Sequence, residues 1–262
     1  MSNNIVASVT RSGAYEPFDL QVARGQIYGH ASQEIFGYSA NIAATALGPI
    51  WEGQTQSGGL YVPPASAAPL VLVSDSASDN TTRSVVINGL DANYAIQTET
   101  IALNGTSAVT TTKSFLRING MEMLNSTNTG TITAKISTTL YAQINPGIGQ
   151  TQMSIFTVPA GYTFYLSYVQ IDASIGFTSS AYMTYSEYNK LNSGTQSGQI
   201  TQVNQSTFVQ KQEVPYTCPI AHIEKTDMQF CVIASAGGPL KCSMYAGGYL
   251  IQNNNNVTGS GT

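Results

Sequence analysis

Short apolar stretches separated by polar turns run through most of this chain. Residues 70–73 form an apolar run, residues 83–90 alternate apolar and polar side chains, and Asn104-Gly105 is a typical hairpin turn. The same rhythm resumes at residue 154 and continues to about 251. Strands this short and this regularly spaced are typical of sandwiches and barrels. Because helical periodicity is almost absent, we predict an all-β fold with two β-sandwich or jelly-roll-like modules.

The segment QINPGIGQ at residues 143–150 is the best candidate for a boundary between the two modules, because it is rich in glycine and polar residues. We therefore predict a first β-sandwich over residues 61–150 and a second over residues 151–262. The polar stretch 252–262 is expected to be a mobile tail of the second module.

Residues 1–60 carry aromatic side chains without a helix or strand rhythm. Such a long segment without a core of its own is uncommon in a compact domain. The pattern predicts an extended N-terminal arm that docks on another protein; the alternative is a meandering edge of the first sheet. The candidate docking residues of this arm are Tyr15, Phe18, Tyr28, Phe36 and Tyr38.

Charged residues make up only 9% of the 262 residues, against about 25% in an ordinary soluble protein. Strand edges of free monomers are commonly protected by charge, especially by lysine, and here Lys and Arg total 10. The composition therefore favours a protein that lies against neighbours in an assembly. The net charge of −4 without a basic cluster argues against nucleic acid as a partner. Apolar stretches of strand length predict no membrane span, and the first residues lack a signal-peptide pattern.

No catalytic constellation emerges from the sequence. Cys218, Cys231 and Cys242 are odd in number and widely spaced, so we predict reduced, structural thiols. Cys218 and His222 form one tempting pair of low specificity. Carboxylates are dispersed along the chain, and the acidic loop around Asp79 matches no calcium pattern. We therefore predict no catalytic residue, no cofactor and no metal site.

Two further segments carry alternative interpretations. The segment AYMTYSEYNKL at residues 181–191 holds Tyr182, Tyr185 and Tyr188, which we interpret as a candidate exposed binding loop, since tyrosine is enriched at binding surfaces. The segment EKTD at 224–227 is either an intersubunit ion pair or, more simply, a solvated turn.

Several segments together resemble a family of virion structural proteins from tailed phages of marine bacteria and cyanobacteria. They are YEPFDLQVARG (15–25), GLD (89–91), TETIALNGT (98–106), VTTTKSFLR (109–117), YAQI (141–144), FTVPAG (156–161) and EKTD (224–227). The match runs in patches from about residue 15 to 250. The resemblance implies a non-enzymatic β protein of the virus particle, and it brings no catalytic or metal-binding residue with it.

Composition and resemblance together predict a bacteriophage decoration or cement protein on the outer surface of the phage head, assembled in the host cytoplasm. Its expected partners are the major capsid protein and itself, as a homotrimer. The main alternative is a tail, neck or head-fibre component with a receptor-binding role. A virion-associated carbohydrate-active enzyme is the third possibility, and it would need two carboxylates that meet in one groove.

Overall fold

A computed structural model describes residues 16–42, 47–53, 59–174, 182–235 and 240–253. Its elements, in chain order, are α1 (Phe18–Ala23), β1 (His30–Ile42), β2 (Gly48–Pro49), β3 (Ala68–Ser74), β4 (Ser84–Leu90), β5 (Ile96–Ala102), β6 (Val109–Phe115), β7 (Arg117–Leu124), β8 (Ile132–Ile136), β9 (Thr139–Ile144), β10 (Ile155–Thr157), β11 (Tyr162–Ser174), β12 (Met183–Leu191), a 3-10 turn (Gly194–Gln196), β13 (Ile200–Phe208), β14 (Lys211–His222), β15 (Thr226–Ala234) and β16 (Leu240–Gln252). The all-β prediction is confirmed. Within these ranges no helix has the length and apolar character that a membrane span requires.

Four antiparallel sheets pack as two sandwiches. In the first sandwich, sheet I has the strand order β5-β4-β7 and sheet II the order β6-β3-β8-β9. In the second, sheet III has the order β1-β16-β11-β14, and sheet IV the order β10-β15-β12-β13 with β2 beside β15. Each sandwich encloses its own apolar core: the first holds buried residues such as Leu70 and Ile132, and the second holds Phe164 and Phe230. The first sandwich is built from β3–β9, whereas the second combines β1 and β2 with β10–β16.

The prediction of an extended arm is wrong for His30–Ile42. This segment is a strand that pairs with β16 from His30↔Ile251 to Ile42↔Leu240, so it is an edge strand of the second sandwich and not of the first sheet. Its inward positions include Ile35, Gly37 and Ser39, all buried. Gly37 and Ser39 are small and not strongly apolar. The sequence of β1 therefore does not show the alternation of apolar and polar residues that marks a strand.

Two side-chain amides fasten the sandwiches to each other. Asn119 on β7 donates to the carbonyl of Thr157 and accepts from its N–H, both at 3.0 Å. Gln229 on β15 pairs in the same two-point way with the backbone of Tyr61, at 2.7 and 2.8 Å. Each amide reproduces the donor–acceptor pattern of a strand ladder without carrying charge. The low charge of the chain is therefore compatible with a firmly joined pair of domains.

Candidate functional site

A cleft of about 260 Å³ lies where the two sandwiches meet. One wall comes from β1 and β16 of the second sandwich, and the other comes from β4 and β7 of the first. Its floor is formed by the connector between β9 and β10, residues 145–154, and by the start of β10. The lining residues used below are Glu34, Phe36, Asn88, Gly120, Met121, Glu122, Gln150, Met153, Ile155, Phe156 and Tyr245.

The position of Phe36 at this cleft follows from the close approach of β1 to the connector. A Cβ atom on the neighbouring Gly37 would lie 2.5 Å from the carbonyl oxygen of Ile50 and 2.6 Å from the Cβ of Ser154. Only glycine fits there without moving the backbone. Since side chains alternate along a strand, burying Gly37 turns Glu34, Phe36 and Tyr38 to the outer face of sheet III.

Tyrosines cover this outer face beside the cleft. Phe36 pairs with Tyr245 across the β1–β16 ladder, and the ring of Tyr245 lies 5.4 Å from that of Tyr168. Gly247 leaves room for Tyr168, because a Cβ there would approach the tyrosine ring to 3.2 Å. Burial and then the neighbouring Glu34 carboxylate raise the pKa of Tyr245 above its usual value, so the hydroxyl stays protonated.

The predicted docking residues do not form one continuous arm. Tyr15 lies outside the described residues. Phe18, on α1, packs edge-on against Tyr249 of sheet III, with ring centroids 5.4 Å apart. Tyr28 is 82% exposed in the turn before β1. Phe36 and Tyr38 share the outer face of β1. The described members are therefore fixed on or near one face of the second sandwich.

The predicted binding loop is a strand. Residues 183–191 form β12, which lies inside sheet IV between β13 and β15. Tyr185 is fully buried and stacks on Phe230 with centroids 6.5 Å apart, whereas Tyr182 is 46% exposed and Tyr188 is half-buried. Placing Tyr185 in a binding loop is wrong, because a spacing of three residues puts it on the opposite face of the strand from the other two.

Glu224 and Lys225 form a turn, and Thr226 and Asp227 are the first residues of β15; the Asp227 side chain is buried. Its carboxylate is buried and forms an ion pair with Arg117 of β7, at 2.7 Å from Nε to Oδ1. Glu224 accepts a hydrogen bond from the N–H of Gly161 at 2.5 Å. The turn predicted for this segment is therefore present at Glu224 and Lys225, whereas Asp227 does not lie on a solvated face.

A polar cluster inside the second sandwich was not predicted. Glu187 of β12 is fully buried, and its Oε1 atom lies 3.5 Å from Nε2 of the buried His222 on β14. Asn189 Nδ2 lies 3.3 Å from Glu187 Oε1 and 3.1 Å from His222 Nδ1. Burial raises the pKa of Glu187 to about 7 and lowers the pKa of His222 to about 4. Burial thus favours the neutral form of each side chain.

Two further chemical candidates from the sequence, His222 and Asp79, have structural partners. His222 faces Glu187 and Asn189, while Cys218 is exposed further along β14. Asp79 accepts hydrogen bonds from Ser74 and from the N–H groups of Thr129 and Gly130, so its oxygens are occupied in joining two loops. No group of three or more metal-ligating side chains occurs among the residues that the structure describes.

Comparisons with known proteins give weak similarities only. No family model matches the chain, and no curated protein matches it. A structure of infectious bursal disease virus, strain Gx, is 10% identical with a TM-score of 0.24, over 86% of this chain and 73% of that one. A structure of T=1 particles derived from the same virus is 8% identical with a TM-score of 0.23, over 87% and 71%. Scores this low do not establish a common fold.

Proposed function

We propose that this protein is a non-enzymatic structural component of a virus particle, and specifically a decoration or cement protein on the outer surface of a tailed-phage head. The main observation in support of the proposal is that two sandwiches with few charged residues are firmly joined to each other. Amide pairs and a buried ion pair fix their relative position. A molecule that bridges neighbouring capsomers needs this stiffness together with surface area, and many copies add their modest contacts together.

The docking surface in this proposal is the outer face of sheet III with its aromatic side chains. Tyrosine and phenylalanine provide large contact areas at a low cost in conformational entropy. Tyr168 and Phe36 are each 36% exposed on this face. The partner is the major capsid protein, and the protein assembles on it in the host cytoplasm.

Self-association as a homotrimer completes the proposal. With so few charged groups, contacts between subunits have to rest on apolar burial and on amide and backbone hydrogen bonds. Sedimentation velocity should therefore show an oligomer that persists when the salt concentration rises to ~1 M, where the Debye length is ~3 Å. A monomer at every salt concentration would exclude self-association in solution.

A tail, neck or head-fibre component is the second candidate, and the inter-sandwich cleft is the observation that favours it. A cleft with amide, carboxylate and aromatic groups is suited to a receptor ligand. Quantitative mass spectrometry of purified particles separates the two candidates. A copy number comparable to that of the major capsid protein supports head decoration, whereas a small fraction of it supports a tail or neck position. Absence from washed particles would refute both.

A further inference from the structure

Buried polar atoms without a hydrogen-bond partner are concentrated in the second sandwich. All six such side-chain atoms among the described residues belong to β11, β12, β13 or β14. Three of them, Oε2 of Glu187, Oδ1 of Asn189 and Nε2 of His222, belong to one cluster, and each of these residues is at most 8% exposed. Buried polar groups in native proteins nearly always have a partner, which is a water molecule or an ion where the chain supplies none. The cluster therefore calls for a partner from outside the chain.

The spacing of the carboxyl and imidazole groups fits a shared metal ion. Oε1 of Glu187 lies 3.5 Å from Nε2 of His222, which is longer than an ordinary hydrogen bond of about 2.7–3.2 Å. Two ligands that bind one zinc ion tetrahedrally, each at about 2.0–2.1 Å, lie about 3.4 Å apart. An imidazole nitrogen combined with a carboxylate oxygen suits zinc and related transition metals, whereas Mg²⁺ and Ca²⁺ prefer oxygen ligands alone.

The protonation of His222 fits a metal ligand as well. Burial lowers the pKa of His222 to about 4, so the imidazole is neutral near pH 7, as metal binding requires. The amide nitrogen of Asn189 lies 3.1 Å from Nδ1 of this ring. After a half-turn of the amide, its oxygen takes the place of its nitrogen and accepts a hydrogen bond from Nδ1–H. Nε2 then carries the free lone pair, the usual arrangement of a metal-binding histidine.

A cavity of about 210 Å³ connects the cluster with solvent. Asn189 and His222 both line it, and Gln199 and Ile223, also in its lining, are exposed. The chain supplies two side chains of the kinds that zinc binds. Water from the cavity can occupy the remaining positions of a tetrahedral site, as it does in zinc sites that are open on one side.

We infer that Glu187 and His222 bind a divalent transition-metal ion of the zinc class between sheets III and IV. Glu187 lies on β12 of sheet IV and His222 on β14 of sheet III, so the ion joins the two sheets of the second sandwich. Asn189 is a positioning residue, which orients the imidazole. The site stabilises the folded state, because the unfolded chain does not hold the two ligands together. The ligands are far apart in the sequence, so no motif marks the site.

The test uses the full chain, freed of metal with a chelator, and Zn²⁺ alone as the probe. Long-range ¹H–¹⁵N spectra of the histidine rings should show a saturable shift at Nε2 of His222 and none at His30, the other histidine of the chain. Glu187→Gln and His222→Gln should each weaken Zn²⁺ binding about tenfold or more in isothermal titration, because each removes one of the two protein ligands. Mg²⁺ in excess should not compete.

Asn189→Asp guards against a loss of binding that comes from misfolding. A carboxylate beside Nδ1–H makes the imidazole a stronger ligand, so this variant should bind Zn²⁺ about tenfold more tightly. A gain in affinity cannot result from a damaged fold. The amide spectrum of each metal-free variant shows whether the second sandwich is intact.

Cys218→Ser and His30→Gln are the matched controls, because each removes a metal-binding side chain that lies outside the cluster. Both should leave Zn²⁺ binding unchanged. Binding that is lost in these controls and kept in Glu187→Gln and His222→Gln would overturn the inference, as would an unshifted His222 ring at saturating Zn²⁺. Equal affinity for Mg²⁺ would overturn it in favour of a site made of oxygen ligands. These measurements use the isolated protein, so they are independent of its copy number in particles.

Discussion

Arg117 and Asp227 form a two-point ion pair across the boundary between the sandwiches, although 110 residues separate them in the sequence. Arginine Nε lies 2.7 Å from Oδ1, and one terminal nitrogen lies 3.0 Å from Oδ2. Thr157 and Asn192 donate to the same carboxylate, at 2.7 and 2.9 Å. The guanidinium also donates to the carbonyls of Pro64 and Leu116. Every charge-bearing atom of this buried pair thus has a partner.

Removing one member of this pair should destabilise the whole molecule. Asp227→Asn leaves a buried guanidinium without a counter-charge, and breaking such a pair typically costs about 3–5 kcal/mol. Urea denaturation followed by far-UV circular dichroism should show this loss, or a separation into two transitions. Lys211→Met, which breaks an exposed ion pair with Glu213, should change nothing measurable. Equal stability of both variants would mean that the boundary ion pair does not hold the sandwiches together.

Glu187 and His222 should have opposite effects on how the free energy of unfolding depends on pH, and single substitutions should separate the two effects. In the Glu187→Gln variant, His222 is the only member of the pair that can still titrate. Its pKa is about 4 in the folded state against 6.5 in the unfolded state, so stability should fall as the pH drops from 6.5 to 4. In the His222→Gln variant, Glu187 is the only member of the pair that can still titrate. Its pKa is about 7 when folded against 4.5 when unfolded, so stability should fall as the pH rises from 4.5 to 7.

In the unsubstituted protein these two effects oppose each other between pH 4.5 and 6.5, because folding moves the pair's single proton from histidine to glutamate. Each slope should amount to about 3 kcal/mol at most across its window. Denaturation at stepped pH values measures it. Parallel slopes in the two variants would contradict this assignment.

Tyr185 and Tyr182 provide a matched pair that tests which tyrosine belongs to the core. Tyr185→Ala should lower the free energy of unfolding by about 3–5 kcal/mol, as for other large buried aromatic residues. Tyr182→Ala should stay within about 0.5 kcal/mol. Tyr185→Phe should be nearly neutral, because the buried hydroxyl has no hydrogen-bond partner among the described residues. Thermal denaturation of the three variants measures these changes. If Tyr185→Ala left the free energy of unfolding unchanged, Tyr185 would not belong to the core.

The three cysteines should differ sharply in reactivity. Cys218 is exposed, whereas Cys231 and Cys242 are buried, and all three are free thiols in the structure. Burial raises the pKa of Cys242 to about 12 and raises that of Cys231 as well, so neither forms the reactive thiolate near neutral pH. Iodoacetamide should modify Cys218 alone in the native protein and all three after denaturation, as read by peptide mass spectrometry. A native disulfide between any two would contradict this prediction.

The sequence by itself determined the class of the fold. Apolar runs of strand length and the Asn104-Gly105 turn follow from local chain geometry, but the prediction that this turn closes a hairpin is wrong: β5 before it pairs with β4 in sheet I, whereas β6 after it pairs with β3 in sheet II. The boundary segment predicted at residues 143–150 overlaps the end of β9, and residues 145–154 run between β9 and β10. These features depend on neighbours only a few residues apart, which is why a single sequence reveals them.

The tertiary structure alone decided which strands pair and which faces they bury. β1 pairs with β16, which lies about 200 residues further along the chain, and its small inward residues Gly37 and Ser39 concealed it in the apolar-polar pattern. On β12 the buried face carries Tyr185, Glu187 and Asn189, so side-chain polarity pointed to the wrong face. The cleft and the Arg117–Asp227 pair likewise join residues from different sandwiches. Local patterns specify alternation along a strand, but burial is set by what packs against it, and that contact forms only when distant segments meet.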